Sequence, residues 1–502
     1  MSAWYRELLK SKGDWCPLIP ESDYHPLGPP PSVEDVRSVI KFIRSGSAPG
    51  SDGIPVEFFK YAPANVVQCF HRVVEKAWIT NHPPLEWLDT IQIPIPKLAR
   101  PRLIDDYRRI TLCNTGYKIY AKLLLNKLDE YLSLPSTYQA AFLANRSTED
   151  HMFTIRRVLD EEWRAGNRVF IFSVDLSKAF DTVDLNVVAE CLQQYIPHYL
   201  VNRIIKACFW ERTTIKWFNM YTEKIKKHKG IKQGCPLSPR LFNFILNEVL
   251  VTISDLYPNL RLDQRDTLQL PLVLAYADDI VFVARDVATI EPIFAELVNT
   301  LLEVVLKINP NKCTVLVRDP DTSFIPPSTL TLSRVTFTGV DQMRYLGTYL
   351  TANLERPLTI RTRCHQALGL AKQMKDFVQQ NRVPFETVIK MYRTVLYPVM
   401  TYGLKTAALT FANRRRLRKY EMYVIRTITT FCPDIPTTGK IKEILSGQTI
   451  TKRVKVQRIN YWGHIQRRSS SHILKAAMNY SAGAKKKLVG PVIPGMTRYS
   501  MI

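Results

Sequence analysis

Three aspartates stand where apolar runs end. Asp175 closes VFIFSVD (169–175), and Asp278 and Asp279 sit inside LPLVLAYADDIVFVA (270–284). Carboxylates carried inward on apolar strands are costly unless cations neutralise them. A set of oxygen ligands selects hard divalent ions, Mg²⁺ or Mn²⁺, and a pair of such ions is the economical solution. Two ions can activate a hydroxyl nucleophile, hold a triphosphate and stabilise a leaving pyrophosphate. An isolated Asp-Asp is more often only a turn, because Asp is a common turn residue. The apolar flanks and the motifs described below reverse that reading here.

The elements that must position these side chains follow from periodicity. VFIFSVDL (169–176) is a nearly continuous apolar run and predicts a buried strand. Residues 270–284 predict two strands around a tight polar centre, a hairpin. Ser32 and Asp35 start a helix with a capping box in which Asp takes the usual Glu position, followed by an apolar face of Val36, Val39, Ile40 and Ile43. Gly46 ends it, and SGSAPGSDGIP (45–55) predicts a loop. IQIPIPK (91–97) predicts an extended edge segment, because proline cannot donate within a central sheet. Residues 116–132 have helical spacing, and the chain from 355 onward reads as mostly helical. There is no internal repeat. The order of elements predicts a mixed α+β class, not regular βαβ units.

The chain has 502 residues and a formal net charge of +24, with 46% hydrophobic residues. Such a composition supports a real core and excludes global disorder. The charge points to a polyanionic partner, with a merely basic soluble protein as the bland alternative. It is unevenly placed. Residues 351–502 hold 28 Lys+Arg against 6 Asp+Glu, whereas residues 1–350 are near neutral. The positive clusters are Arg414, Arg415, Arg416, Arg418 and Lys419, then Lys452, Arg453, Lys455 and Arg458, then KKK at 485–487. They are the expected contacts to nucleic-acid phosphates. No apolar stretch reaches about 18 residues, so no membrane partner is expected. Nine scattered cysteines, no C-x-x-C pair and no signal-peptide core predict reduced thiols in an intracellular compartment.

Tyr276-Ala277-Asp278-Asp279 resembles the Y-x-D-D box of reverse transcriptases, and FSVDLSKAFDTV (172–183) resembles their first catalytic-aspartate motif. GIKQGCPLSPRLFN (230–243) is most similar to the corresponding stretch of non-LTR retrotransposon (LINE-type) enzymes. SAPGSDGIPVEFFK (47–60), IPIPK with DYRRITL (93–97, 106–112), YQAAFLANRSTEDH (138–151), INPNKCTVL (308–316), RYLGTYL (344–350) and RINYWGHIQRR (458–468) resemble further motifs of that group in the same order. The resemblance implies a right-hand polymerase of fingers, palm and helical thumb, with a basic, mainly helical C-terminal extension. The expected divisions are 1–31 as a Pro-rich lead-in, 32–350 as fingers and palm, 351–430 as thumb and 431–502 as the extension.

It further implies an RNA-directed DNA polymerase that extends a primer 3′-hydroxyl with dNTPs on an RNA template, using two Mg²⁺ or Mn²⁺ ions, with a DNA primer or target DNA as partner. The nucleus is the compartment the resemblance implies, with the cytoplasm as the alternative. Asp175, Asp278 and Asp279 would be the metal ligands. The backbone at Leu176 would lie near the triphosphate. Phe180 would exclude a ribose 2′-hydroxyl. Lys97 and Arg108 would contact the triphosphate, Arg through its planar fork. Gln233 and Gly234 would line the nucleotide pocket, and Lys312 would be the general acid for the departing pyrophosphate.

Three residues depart from the pattern. Arg109 replaces a proline, Ala141 a glycine, and Asn145 a residue that is commonly glycine. They motivate an alternative, a degenerate or domesticated protein that binds nucleic acid without polymerising. A group II intron-type enzyme is a further option, disfavoured by the wording of QGCPLSP. The 31 leading residues are too few for a nuclease domain, and Pro433-Asp434 lacks a D/E-x-K partner, so the chain is expected to be the polymerase part of an element.

Overall fold

The computed structural model describes residues 28–132, 139–227, 229–260, 268–353, 357–407, 409–432, 437–445, 448–470 and 472–483. Most of the lead-in and the KKK cluster at 485–487 lie outside the described residues. The architecture is mixed α+β, the class expected.

Its centre is a six-stranded sheet. The strand order is Thr329–Leu332, Val335–Gly339, Thr314–Arg318, Val169–Asp175, Asp279–Ala284 and Leu272–Tyr276. All pairings are antiparallel except that of Val335–Gly339 with Thr314–Arg318. Val169–Asp175 lies in the interior of the sheet, and Ile171, Phe172 and Val174 are buried, so both faces are covered. That is why the run lacks a polar alternation. The helix Val287–Glu303 lies against one face. Its Phe294 meets Phe282 and Phe337 from the sheet, and Phe337 meets Phe172, with ring centroids 5.3–6.3 Å apart.

A second sheet orders Tyr107–Cys113, Asp89–Pro96, Arg212–Trp217 and Met220–Tyr221. Here the expectation of an edge segment is only half right. Asp89–Pro96 pairs along its whole length with Tyr107–Cys113, and its first four residues pair on the other side with Arg212–Trp217. The strand is therefore central at its start. Pro94 and Pro96 fall beyond the second pairing, where no donor is needed.

The capping box forms as expected. The Asp35 amide donates to Ser32 Oγ at 3.1 Å, and the Ser32 amide donates to Asp35 Oδ2 at 2.8 Å. Val33–Phe42 then buries Val36, Val39 and Ile40. The helix stops at Phe42 with Ile43 already extended, before Gly46. Thr115–Tyr131 buries Tyr117, Tyr120, Leu124 and Leu128.

Beyond Pro357 the secondary structure of the described residues is all helix, joined by short loops. Residues between Ile360 and Val454 form their own apolar core. Ile465, Ile473, Leu474, Ala477 and Tyr480, by contrast, belong to the main core with the sheet. The end of the described chain thus folds back. Helix Ile473–Asn479 packs on helix Thr148–Ala165. Tyr461 Oη donates to Asp150 Oδ1 at 3.2 Å, and Tyr480 Oη bonds to the buried Glu162, which also takes Arg285.

Candidate active site

The carboxylates are brought together by strand register. Asp175 stands directly opposite Asp279, and Tyr276 pairs with Asp279 across the hairpin. Ala277 and Asp278 therefore form a two-residue turn. Such turns need a positive φ at the first position, and Ala277 adopts φ 53°.

A buried side chain holds that turn. Gln139 Oε1 accepts from the Ala277 amide at 2.8 Å, and Gln139 Nε2 donates to the Ala277 carbonyl at 3.3 Å. The same Oε1 accepts from the Ala141 amide at 3.0 Å. Sequence reasoning gave Gln139 no role. Its only signal was membership of YQAAF, because a partner 138 positions away leaves no periodic trace.

The residues expected around the nucleotide also converge. Lys312 Nζ lies 3.3 Å from Asp175 Oδ2, and Asn309 Nδ2 donates to the same oxygen at 3.4 Å. The Asn309 amide donates to the Asp175 carbonyl at 2.8 Å, and Leu176 is bridged to Ile308. Asn309 is a second site residue that the sequence did not single out. Burial is the chief force raising the Asp278 carboxyl above its usual range; the Asp175 charge adds to it, and Arg108 and Lys312 oppose it. Asp279 is reached by solvent at the tip, yet crowding by neighbouring atoms and then the charges of Asp278 and Asp175 push it up to about 6. Partial burial holds the Lys97 ammonium below its ordinary value, and so do the nearby charges of Lys312 and Arg108. Lys97, Arg108 and Lys312 thus share one field beside the carboxylates.

Three chain segments meet behind this field. The Thr111 amide donates to the Gln233 carbonyl at 2.7 Å, joining the strand of Arg108 to the 230–235 loop. The Ile231 amide donates to the Phe180 carbonyl at 2.8 Å, joining that loop to the turn after Asp175. Gly234 has φ 128°, and a Cβ there would meet the Thr111 carbonyl oxygen at 2.4 Å, so the approach needs glycine. Phe180 stacks on Phe242, with centroids 4.8 Å apart. Arg109 closes the triangle through a buried ion pair with Asp181. The other departures are also accommodated. Asn145 adopts φ 60°, which Asn tolerates better than most residues, while Ala141 does not need a positive φ.

Among the described residues no three His, Cys, Asp or Glu side chains form a closed metal cage. The donor set nonetheless fits Mg²⁺, which keeps several waters and is commonly bound by one or two carboxylates plus substrate phosphates. Asp278 and Asp175 repel one another across a partly dehydrated site, the electrostatics that a cation relieves.

The basic clusters are divided. Arg414, Arg418, Lys452, Lys455 and Arg458 line one cleft between helices Phe411–Thr429 and Ile450–Gln466. Burial and the Arg414 charge lower the Arg458 value. Arg415, Arg416, Lys419 and Arg453 do not line it. Arg453 lies over the Tyr397 ring at 5.0 Å, and Lys419 over Tyr423 at 5.8 Å. Eight cysteines of the described residues are free thiols. No helix among the described residues is long and apolar enough to cross a membrane.

Comparison with known proteins identifies the family. The family model described as reverse transcriptase (RNA-dependent DNA polymerase) matches residues 95–350. The transposon TX1 uncharacterized 149 kDa protein of Xenopus laevis is 27% identical over 351 residues, 68% of this chain and 26% of that protein. The Pol polyprotein from the type-1 retrotransposable element R2 of Popillia japonica is 26% identical over 418 residues, 80% of this chain and 55% of that protein. The chain thus spans between a quarter and about half of these relatives. The telomerase of Candida albicans, solved with a fragment of telomeric RNA, aligns over 78% of this chain and 62% of its own, with 12% identity and a TM-score of 0.39. By its family match and its motifs, the chain belongs to the reverse transcriptase (RNA-dependent DNA polymerase) family, in the non-LTR retrotransposon (LINE-type) branch.

Proposed function

We propose that this chain is the RNA-directed DNA polymerase of a non-LTR retrotransposon, extending a primer 3′-hydroxyl with dNTPs on an RNA template. The observation that carries the reading is the register of Asp175 opposite Asp279 beside the Ala277–Asp278 turn, with Lys97, Arg108 and Lys312 within one electrostatic field. Asp175, Asp278 and Asp279 would hold two Mg²⁺ or Mn²⁺ ions, which when bound activate the hydroxyl and stabilise the leaving pyrophosphate.

The chain's own residues supply the rest. Lys97 and Arg108 attract and orient the triphosphate. Gln233 and Gly234 let the nucleotide approach backbone, and Phe180, braced by Phe242, limits space for a 2′-hydroxyl. Lys312 can give a proton to the leaving phosphate oxygen while its charge steadies Asp175. Residues 32–350 would serve as fingers and palm, 351–430 as thumb, and the cleft of Arg414, Arg418, Lys452, Lys455 and Arg458 as a grip on the duplex backbone.

The test is Mg²⁺-dependent dNTP incorporation on RNA and DNA templates, with Asp278→Ala as control. Loss of incorporation in the folded variant supports the proposal. Folded wild-type protein that incorporates nothing on any template, while binding nucleic acid equally well as Asp175→Asn, would favour the non-polymerising relic.

A further inference from the structure

A two-stranded hairpin on the second sheet carries aromatic side chains that stay largely exposed among the described residues. Arg212–Trp217 turns back as Met220–Tyr221, pairing Lys216 with Tyr221 and Trp217 with Met220. The turn itself is Phe218-Asn219. Phe218 adopts φ 52°, a position where two-residue turns favour glycine and where a bulky side chain is strained. Strain of this kind is ordinarily offset by packing, yet Phe218 is 81% exposed, with Met220 at 66% and Tyr221 at 56%. Beyond an edge-on contact with Trp217, the ring gains little burial in return for its backbone cost. A backbone outlier with so small a structural return points to function.

The surroundings indicate what the rings receive. Trp217 stands edge-on to Phe218 at 5.5 Å and to Tyr107 at 5.1 Å, so the aromatic run ends one residue from Arg108. Lys216 Nζ lies 5.4 Å over the Tyr221 ring. Exposed rings beside cations, on the sheet whose outer strand carries Arg108 and Arg109, match flat, polyanionic chemistry. A protein partner would more often meet an apolar patch without this cation spacing.

We propose that the 212–221 hairpin is a base-stacking platform for single-stranded nucleic acid, Phe218 and Tyr221 being the stacking surfaces and Lys216 a phosphate contact. The inference rests on the polymerase reading for its ligand, which is then the unpaired template strand ahead of the nucleotide site.

The experiment measures affinity of the full chain for a single-stranded RNA oligonucleotide and for an abasic strand of equal length. The variant is Phe218→Gly with Tyr221→Ala. Glycine suits the turn, so thermal stability should hold or rise, which separates loss of stacking from loss of fold. Binding to the base-bearing strand should weaken roughly 5- to 100-fold, with little change on the abasic strand. Equal weakening on both strands would overturn the proposal, and so would unchanged affinity. A change in oligomeric state with RNA affinity intact would overturn it in favour of a protein-docking surface. Primer extension on a template with a minimal overhang separates the two readings. Its absence in the wild type alongside base-dependent binding would sink the polymerase and leave the platform standing.

Discussion

Gln139→Ala tests how the fold holds Asp278. Gln139 is buried, and its side-chain oxygen accepts from two buried amides, those of Ala277 and Ala141. Leaving a buried donor unsatisfied costs about 1–3 kcal/mol, so the two together cost about 2–6 kcal/mol, less whatever relaxation recovers. The local effect is separable from this global one. Ala277 carries about 1–2 kcal/mol of strain for the left-handed backbone that the two-residue turn needs, and the Gln139 clamp helps to hold it there. Released, the turn drifts toward an unstrained form, and the productive placement of Asp278 falls about 5- to 30-fold. Incorporation at saturating dNTP should fall by that factor in Gln139→Ala, together with a lower Tm. Adding Ala277→Gly removes the backbone penalty. It should restore most of the turnover but only part of the Tm, because the amides of residues 277 and 141 both remain unsatisfied. Full turnover in Gln139→Ala would refute the reasoning. So would a turnover loss that Ala277→Gly leaves untouched.

Further outcomes follow from the same packing. Arg109→Ala should destabilise the fold by about 1–3 kcal/mol in chemical denaturation, because it leaves the Asp181 carboxylate without its part-buried partner, whereas Arg109→Gln with Asp181→Asn should lose less. Leu474→Ala should cost about 2–5 kcal/mol and lower the unfolding midpoint of the sheet core, since Leu474 is fully buried within it. His151 is buried with Tyr345 Oη at 3.1 Å, the Tyr276 ring beside it and the Arg146 charge nearby. Burial and then that charge push it down to about 3. Its folded value lies below the unfolded one, so the unfolded chain takes up a proton first as pH falls. Stability is complete above about pH 6.5 and is lost progressively toward pH 3, by about 2 kcal/mol at pH 5. His151→Gln should flatten the decline in Tm between these pH values, leaving the part contributed by His472, which is lowered to about 3 in the same direction.

The local elements were legible because their causes are local. The continuous apolar run ending at Asp175, the hairpin around Asp278, the Ser32–Asp35 cap and the helix after Asn114 each carry a signal within a few residues. The central placement of Asp89–Pro96 was not legible, since its second neighbour, Arg212–Trp217, lies more than a hundred positions away. Nor was the fate of the C-terminal segment. Read as a basic extension, it supplies three of the five cleft cations, Lys452, Lys455 and Arg458, but also places Ile465, Leu474 and Tyr480 inside the main core. Removing residues 431–502 would therefore unpack the core as well as take three cations from the cleft.

By itself the sequence determined which residues can do chemistry: carboxylates at the ends of apolar strands, cations in the motifs beside them, and a charge excess confined to the last third of the chain. Side-chain type and short-range periodicity are written in the chain order. Only the tertiary structure decided which of these meet. It set Asp175 against Asp279, clamped Ala277 with Gln139, paired Arg109 with Asp181, and gathered into one cleft five of the nine cations clustered at 414–419 and 452–458. Those contacts are fixed by the packing of whole sheets and helices across large sequence separations, and no local pattern encodes such a partner.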